Sequence, residues 1–371
     1  MPDADPLHSV HTTSLPDILW QLRASVLITT YQAGKVVVVR ADGDAANTHF
    51  RNFRQPMGLA VDGSRLAVGV GTGGEEFADQ PAAARRLDPP GKHDALYIPR
   101  RSHTSGNILI HEMEYAGGQL WAVNTRFSCL CTFDPDHSFV PRWRPKFVSA
   151  LSPEDRCHLN GMAVVGDTPR YVTALGATDT AGGWRPTKAT GGVLIDVASG
   201  EFVSRGLSMP HSPRWHEGKL WVLESGAGGV GVVDRATGKV NQVALLPGFT
   251  RGFDFAGGLA FVGLSQVRES AVFSGIPITE RLKPEERWCG MAVLNAATGE
   301  TVAFLRFESG VQEVFAVRVL VGRTFPDIAI DPTDESVLNS FILPDAALGD
   351  VPAELTQPDR PPLSALSSSE K

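Results

Sequence analysis

Residues 109–125, LIHEMEYAGGQLWAVNT, contain an apolar stretch, a Gly-Gly turn and a second apolar stretch. Two short apolar stretches joined by a glycine turn are typical of a β-hairpin. Residues 209–226, MPHSPRWHEGKLWVLESG, repeat this pattern, and residues 158–176, HLNGMAVVGDTPRYVTALG, repeat it again. Recurrence every 40 to 55 residues, roughly, predicts a repeated supersecondary unit.

Three further copies of the hairpin begin at Gln55, Phe249 and Gly310, and the last of these is the weakest. Other strand pairs with a tight turn follow within the units, at 192–207, 230–246 and 291–307. Each unit therefore contains four strands, which is the pattern of a β-propeller blade. Six copies predict an all-β fold, a six-bladed β-propeller.

The N-terminal hairpin at 25–41, SVLITTYQAGKVVVVRA, has no inner strand before it. We expect it to close the ring by pairing with the last blade, because closure removes the open sheet edges. The segment 71–107 is too long for a bare hairpin and is predicted to be a loop insertion over one channel face. The resulting division is a leader at 1–22, a single propeller at 23–345 and a disordered tail at 346–371.

The composition excludes several classes of protein. The chain has 371 residues with 38 glycines and 26 prolines, which suits many short strands joined by turns. A net charge of −7 gives no general attraction to nucleic acid or to an anionic membrane surface. The N-terminus lacks the pattern of a signal peptide, and the four cysteines form no disulfide framework. We therefore expect a cytoplasmic protein with reduced thiols.

Several longer motifs carry a family resemblance. ITTYQAGK, PEDRCHLNGMA, YVTALGATDTAGGWR, MPHSPRW and FVGLSQVRES resemble a bacterial family of conserved hypothetical proteins. Its domain of unknown function is sometimes attached to tetratricopeptide repeats, and the resemblance extends from about Ser25 to Phe341. The stretch IHEMEY departs from the family pattern but keeps its histidine, His111. The resemblance implies no established activity.

The starts of the inner strands converge on the propeller axis, and several of them carry chemistry-bearing residues. His111, His158 and His211 occupy such positions in three blades, although His158 lies two residues earlier in its repeat than the other two. Three neutral imidazoles suit one divalent metal ion, either zinc, iron or copper. Arg251 is predicted to neutralise an anionic group of the substrate, and Glu313 to act as a fourth ligand or a general base.

Further polar residues are predicted at the same channel mouth. Asn160 is a third candidate catalytic residue beside Arg251 and Glu313. The candidate substrate-binding residues lie on inner strands or at second-strand exits: Asn124, Arg126, Arg214, Glu224 and Gln266. The sequence thus favours a metal-dependent enzyme, of lyase, hydrolase or oxidase type, acting on a small anionic or peptide-like substrate. Three alternatives stay open: a metal-free module that binds a ligand or peptide, a polar channel that holds only water, and a protein-interaction scaffold whose function does not depend on the channel histidines. A protein partner is compatible with each of these hypotheses.

Overall fold

The computed structural model describes residues 7–267, 274–331 and 333–352. Five elements precede the first complete blade: β1 (Ser9–His11), α1 (Ser14–Leu22), β2 (Ala24–Thr30), β3 (Lys35–Asp42) and β4 (Ala45–Asn52). Blade 1 consists of β5 (Leu59–Asp62), β6 (Arg65–Val70), β7 (Gly73–Asp79), the short helix α2 (Pro81–Ala84) and β8 (Ala95–Thr104). Blade 2 consists of β9 (Ile110–Ala116), β10 (Gln119–Asn124), β11 (Cys129–Thr132) and β12 (Val140–Trp143).

The chain continues around the ring in the same way. Blade 3 consists of β13 (Leu159–Val165), β14 (Thr168–Ala174), β15 (Gly192–Asp196) and β16 (Phe202–Leu207). Blade 4 consists of β17 (Pro210–His216), β18 (Lys219–Glu224), β19 (Gly229–Val233) and β20 (Val240–Leu245). Blade 5 consists of β21 (Phe249–Ala256), β22 (Leu259–Ser265), the helix α3 (Pro277–Arg281), β23 (Cys289–Asn295) and β24 (Thr301–Phe307).

The N-terminal hairpin closes the ring, as the sequence predicts. The innermost strand of blade 6 is β25 (Val317–Val321), and β2 pairs with it antiparallel, followed outward by β3 and β4. The innermost strands β5, β9, β13, β17, β21 and β25 each contact their two neighbours around the axis. The protein is therefore an all-β, six-bladed propeller whose sixth blade joins both ends of the domain.

The remaining elements lie at the edges of the ring. β1 pairs with β24 and extends blade 5, while α1 packs its buried Leu15 and Leu19 into the apolar core between blades 5 and 6. The last elements are β26 (Pro326–Ile328), which pairs parallel with β8, and the short helices α4 (Glu335–Leu338) and α5 (Asp345–Leu348). Most of the predicted tail, from residue 353 on, lies outside the described residues. No helix in the described ranges combines the length and the apolar character that a membrane crossing requires.

The segment 71–107 differs from its sequence-based prediction. Most of it forms β7 and β8, the two outer strands of blade 1, and the loop insertion is the shorter stretch 80–94 that contains α2. The expectation that this segment covers the channel is therefore wrong. The sequence misled because β7, GGEEFAD, places glycines and charged residues where a strand pattern would have apolar ones.

A buried ion cluster fills the middle of the channel. Glu112 on β9 accepts hydrogen bonds from Arg214 on β17, at 3.1 and 3.2 Å, and from Arg318 on β25, at 3.2 Å. The Nε of Arg214 donates to the carbonyl of Phe253 on β21, and the Nε of Arg318 donates to that of Leu59 on β5. All three charged side chains are less than a tenth exposed.

The cluster reaches every blade. Arg214 also donates to the carbonyl of Met162 on β13, so the two arginines and Glu112 connect all six innermost strands. Burial works to lower the pKa of Arg318, but Glu114 and Glu112 outweigh it and raise that pKa. The guanidinium therefore stays charged, and its removal leaves Glu112 and Glu114 without that counter-ion in a desolvated channel.

Hydroxyl groups form a second set of links between neighbouring blades. Four such groups donate across a blade boundary to a carbonyl at the channel mouth: Thr29 to Met57, Thr125 to Leu159, Ser225 to Thr250, and Ser265 to Val314. These bonds hold the starts of the innermost strands in fixed positions, which matters for the side chains that begin there.

We expect the substitution Arg318→Met to lower the free energy of unfolding by about 3–5 kcal/mol, since loss of one partner leaves a buried charge uncompensated. Urea unfolding followed by tryptophan fluorescence measures this change. The matched control is Lys146→Gln, which breaks the exposed pair with Glu201 and should cost less than about 1 kcal/mol. Equal effects of the two substitutions would contradict the structural role of the axial cluster.

The four cysteines are free and buried. Burial raises the pKa of Cys129, Cys157 and Cys289 to about 12, and that of Cys131 well above its ordinary value. Because the thiolate is the reactive form, these thiols should be inert in the folded protein. We expect Ellman's reagent to titrate almost no thiol before denaturation and all four cysteines in guanidinium chloride; rapid native-state reaction would show that a thiol is accessible.

Candidate functional site

A cavity of about 290 Å³ lies at the end of the channel where the innermost strands begin. Its wall includes His111 at the start of β9, His158 just before β13, and His211 at the start of β17. The three histidines thus come from three consecutive blades, as the repeat pattern predicts. Arg251, on β21 of the next blade, and Glu313, just before β25, complete the ring around the cavity.

The register offset of His158 is real, and the backbone explains it. His158 has a φ of 51°, and the residues that match it in three other repeats also have positive φ: Gln55 at 51°, Leu109 at 55° and Met209 at 45°. His158 is therefore the structural equivalent of Leu109 and Met209. These residues come two positions before His111 and His211 in their repeats. Its ring nevertheless packs edge-on against that of His111, with 4.8 Å between the ring centroids.

The left-handed conformation at this repeated position is unusual for residues other than glycine. It costs about 1–2 kcal/mol per residue and persists where the surrounding structure enforces it. Asp155, at φ 50°, adds a further case beside His158. Strain of this kind clusters at functional sites, and here four residues of the cavity wall have it: Leu109, Asp155, His158 and Met209.

Each of the three histidines is anchored through its Nδ1 atom. Nδ1 of His111 lies 3.1 Å from the carbonyl oxygen of Leu109, and Nδ1 of His211 lies 2.9 Å from that of Met209. Nδ1 of His158 lies 2.9 and 3.0 Å from the two carboxylate oxygens of Asp155. Carbonyl and carboxylate oxygens only accept, so Nδ1 carries the proton in all three rings.

The other ring nitrogen consequently faces the cavity as an acceptor. In a neutral imidazole with a protonated Nδ1, Nε2 holds a lone pair. Within the described part of the chain, none of the three Nε2 atoms forms a hydrogen bond. The buried polar atoms that lack a partner there do not include them, so each Nε2 atom is at least partly exposed. These atoms are therefore accessible from the cavity.

The electrostatic surroundings favour the neutral form of two of these rings. Burial, followed by the nearby His158 and Arg251, holds the pKa of His111 well below its ordinary value. Burial and Arg251 have the same effect on the pKa of His211. Both imidazoles are therefore uncharged at neutral pH.

Arg251 is a buried cation on the opposite part of the wall. Its guanidinium stacks on the ring of Phe315 at 3.3 Å from the centroid, and its Nη1 lies 3.2 Å from Oε1 of Glu313. Burial lowers the pKa of Arg251 to about 10, against the opposing effect of Glu313, so the group stays charged at neutral pH. Among the described residues, Glu313 supplies the one hydrogen bond to this guanidinium, which leaves further N–H donors directed at the cavity.

Several wall residues were missed from the sequence. Asp155 accepts from both His158 and Nε1 of Trp184, whose ring packs 4.5 Å from that of His158. Arg185 lies over Trp184 and 3.8 Å from Asp155. The spacing of Asp155 three residues before His158 was a signal for this contact. No sequence signal pointed to Trp184, because this residue lies in the loop between β14 and β15 and reaches the cavity only through the path of that loop.

Other predicted site residues lie away from the cavity and have structural partners. Asn160 is buried and accepts from Thr173 at 2.7 Å, while its Nδ2 has no partner within the described residues. Asn124 accepts from the backbone N–H of Phe127 and caps that turn.

Four predicted substrate-binding residues also lie outside the cavity wall. The backbone N–H of Arg126 donates to Ile108, and its side chain does not line the wall that the described residues form. Arg214 belongs to the axial ion cluster. Glu224 accepts from the backbone N–H of Ser208, and Gln266 donates to the carbonyl of Pro284. Glu224 and Gln266 therefore hold a strand end and a loop, whereas Nε of Arg126 is buried with no partner among the described residues.

The predicted metal ion stays a prediction. Within the described ranges, no group of three or more His, Cys, Asp or Glu side chains is arranged so that it could hold a metal ion in these side-chain positions. His111 and His158 are close to each other, whereas His211 lies on the second blade from His111.

The fold is similar to that of many solved structures, including the following two. A chain of the crystal structure of the nidogen/laminin complex has a TM-score of 0.51 at 8% identity, and the match covers 81% of this chain and 99% of that chain. A protein of unknown function from Bacteroides caccae has a TM-score of 0.47 at 8% identity, covering 80% and 98%. At such low identity, the first likeness extends to the fold alone. No curated protein matches the sequence.

The sequence itself matches one family over most of its length. The match is to the family described as Domain of unknown function (DUF4915), and it extends over residues 13–329. This range includes all six blades and every residue of the cavity wall named above. The chain therefore belongs to the DUF4915 family.

Proposed function

We propose that the channel-mouth cavity binds a small ligand that carries a carboxylate, with Arg251 as its anchor. The observation that carries this proposal is the state of the Arg251 guanidinium. It is only 8% exposed, yet its one hydrogen bond within the described residues goes to Glu313. A carboxylate is the group that matches the remaining donors, since it accepts two parallel N–H bonds from one guanidinium.

The contacts around Arg251 hold it ready for such a ligand. Phe315 supports one face of the guanidinium and Glu313 fixes one edge. Desolvation strengthens a charge-assisted hydrogen bond in this position relative to one at the surface. Binding to a guanidinium that is already held in place costs less conformational entropy than binding to one that the ligand must first order, so the affinity is higher.

The size and lining of the cavity limit the ligand to a small metabolite. Its volume of about 290 Å³ lies at the lower end of the range for small-molecule sites. Aromatic and thioether groups form much of the wall, including Trp184, Phe249 and Met209. The cavity thus suits a compact molecule with one apolar part, rather than a long peptide.

We expect isothermal titration calorimetry to detect binding of at least one of benzoate, 3-phenylpropanoate, 4-methylpentanoate and succinate. Arg251→Gln should weaken that binding about 10- to 100-fold, the usual range for a hydrogen bond to a charged group. The matched control is Arg205→Gln, because Arg205 also lies on an aromatic ring, at 3.5 Å from the centroid of Phe202, but in an outer strand. The proposal fails if no carboxylate binds, or if both substitutions have the same effect.

A metal-dependent enzyme is the second candidate, and the anchoring of the histidines favours it. Metal-binding histidines almost always donate their second ring N–H to a carbonyl or carboxylate, as His111, His158 and His211 do here. Neutral imidazole nitrogens suit zinc, iron or copper. In this case the three Nε2 atoms would hold the ion, which would supply Lewis-acid or redox chemistry. Arg251 would orient an anionic substrate, and the Glu313 carboxylate would act as the general base.

Elemental analysis of protein purified without a metal-binding tag tests the second candidate. A metal site predicts about one zinc, iron or copper ion per chain and loss of most of it in His111→Ala. His137→Ala is the control, because His137 is an exposed histidine that pairs with Asp134 outside the cavity. Metal-free protein that takes up no added zinc, iron or copper would exclude this candidate and leave the carboxylate site unaffected.

A further inference from the structure

The cavity wall is chemically divided into two halves. His111, His158 and His211 lie on three consecutive blades, and with Nδ1 protonated each ring carries a lone pair on Nε2 in its neutral form. Arg251 and Glu313 lie on the next two blades and present the guanidinium edge. One half of the wall therefore offers imidazole acceptors, and on the other half the guanidinium of Arg251 supplies donors beside the Glu313 carboxylate.

A simple carboxylate satisfies only one of these halves. Its oxygens would bind Arg251, but they accept hydrogen bonds and would repel the imidazole lone pairs. An unmet acceptor in a desolvated site costs free energy comparable to a lost hydrogen bond. The accepting half consequently requires a ligand group with several N–H or O–H donors.

We propose that the ligand is an α-amino acid bound as a zwitterion, with its ammonium group on the histidine side of the cavity and its carboxylate on Arg251. This inference rests on the carboxylate site proposed above. An ammonium carries three N–H donors, so it can donate to more than one imidazole Nε2 at once. The amino-acid side chain would then lie against the apolar part of the wall near Trp184 and Phe249.

The charge balance of the wall supports a neutral ligand. Within the described residues, the wall contains two cations, Arg185 and Arg251, and two carboxylates, Asp155 and Glu313. Glu313 pairs with Arg251, and Asp155 is held by His158, Trp184 and Arg185. A zwitterion adds no net charge to this balanced, partly buried site. A divalent cation alone would add two positive charges beside Arg251 with no carboxylate among its ligands.

The anchoring of the rings fixes where the ammonium would bind. Nδ1 of His211 contacts both the Met209 carbonyl and Oγ of Ser225, and Ser225 in turn donates to Thr250 in the next blade. His158 is fixed by the two oxygens of Asp155. The acceptors are therefore positioned before any ligand arrives, which favours recognition of one donor geometry.

Matched ligands separate this inference from the proposed function. The experiment is calorimetric titration of EDTA-dialysed protein with each standard amino acid, and then with analogues of any that bind. For phenylalanine, the analogues are 3-phenylpropanoate, which lacks the amine, and 2-phenylethylamine, which lacks the carboxylate. For leucine they are 4-methylpentanoate and 3-methylbutylamine. We expect at least one amino acid to bind at least about tenfold more tightly than both of its analogues.

The histidine variants supply a second readout. His111→Phe keeps a ring at this position but removes the acceptor, so it should abolish the preference for the amino acid over its des-amino analogue. His211→Phe should do the same, and melting temperatures check that both variants fold. If one variant fails to fold, the other decides the outcome.

Each other outcome overturns the inference in a distinct way. Equal affinity for an amino acid and its des-amino analogue overturns it and leaves the carboxylate site standing. Absence of binding by every amino acid and every carboxylate overturns both proposals. Binding that appears only after zinc, iron or copper is added overturns the inference in favour of the metal-dependent enzyme.

Discussion

The buried ion cluster of Glu112, Arg214 and Arg318 is the interaction on which the rest of the structure depends. In a propeller channel the six innermost strands belong to separate sheets and share no continuous hydrogen-bond ladder, so side chains must fill the space between them. Here two arginines from blades 4 and 6 share one glutamate from blade 2 and donate to carbonyls of the innermost strands in blades 1, 2, 3 and 5. Replacing such a cluster by apolar groups can preserve stability in principle. Its directional bonds, however, connect all six innermost strands to one another.

Closure of the channel at its middle creates two separate compartments. The axial cluster separates the histidine-lined cavity from a second recess at the other end of the channel, where Glu114 and Asp254 lie. The hydroxyl links from Thr125 and Ser225 hold the neighbouring strand starts on the histidine side. The left-handed backbone at Leu109, His158 and Met209 lies on the same side, where the surrounding structure must hold it in place.

The repeat pattern was enough to predict the blade number, the closure by the N-terminal hairpin and the position of the three histidines on the wall of one cavity, because each depends on local periodicity. Long side chains were harder to predict. Arg214 follows His211 by three residues on the same strand, yet it extends along the axis to Glu112, and nothing local distinguishes it from a pocket residue. Trp184 and Asp155 reach the cavity through loop conformations that no strand pattern encodes. The polar residues Asn124 and Glu224 lie at the predicted strand exits, but the nearest backbone N–H groups engage them first.

The anchoring of the imidazoles has a consequence for what can occupy the site. A histidine held through Nδ1 cannot change tautomer without losing that bond, so Nε2 remains an acceptor for as long as the ring is neutral. Burial holds the pKa of His111 and His211 well below the ordinary value, so protonation does not readily convert these acceptors into donors. Water can satisfy three lone pairs, but in this cavity it would give up bulk hydrogen bonds to do so. A ligand with three donors on one atom and an anion within reach of Arg251 meets both halves of the wall at once, and this double requirement is more selective than either half alone.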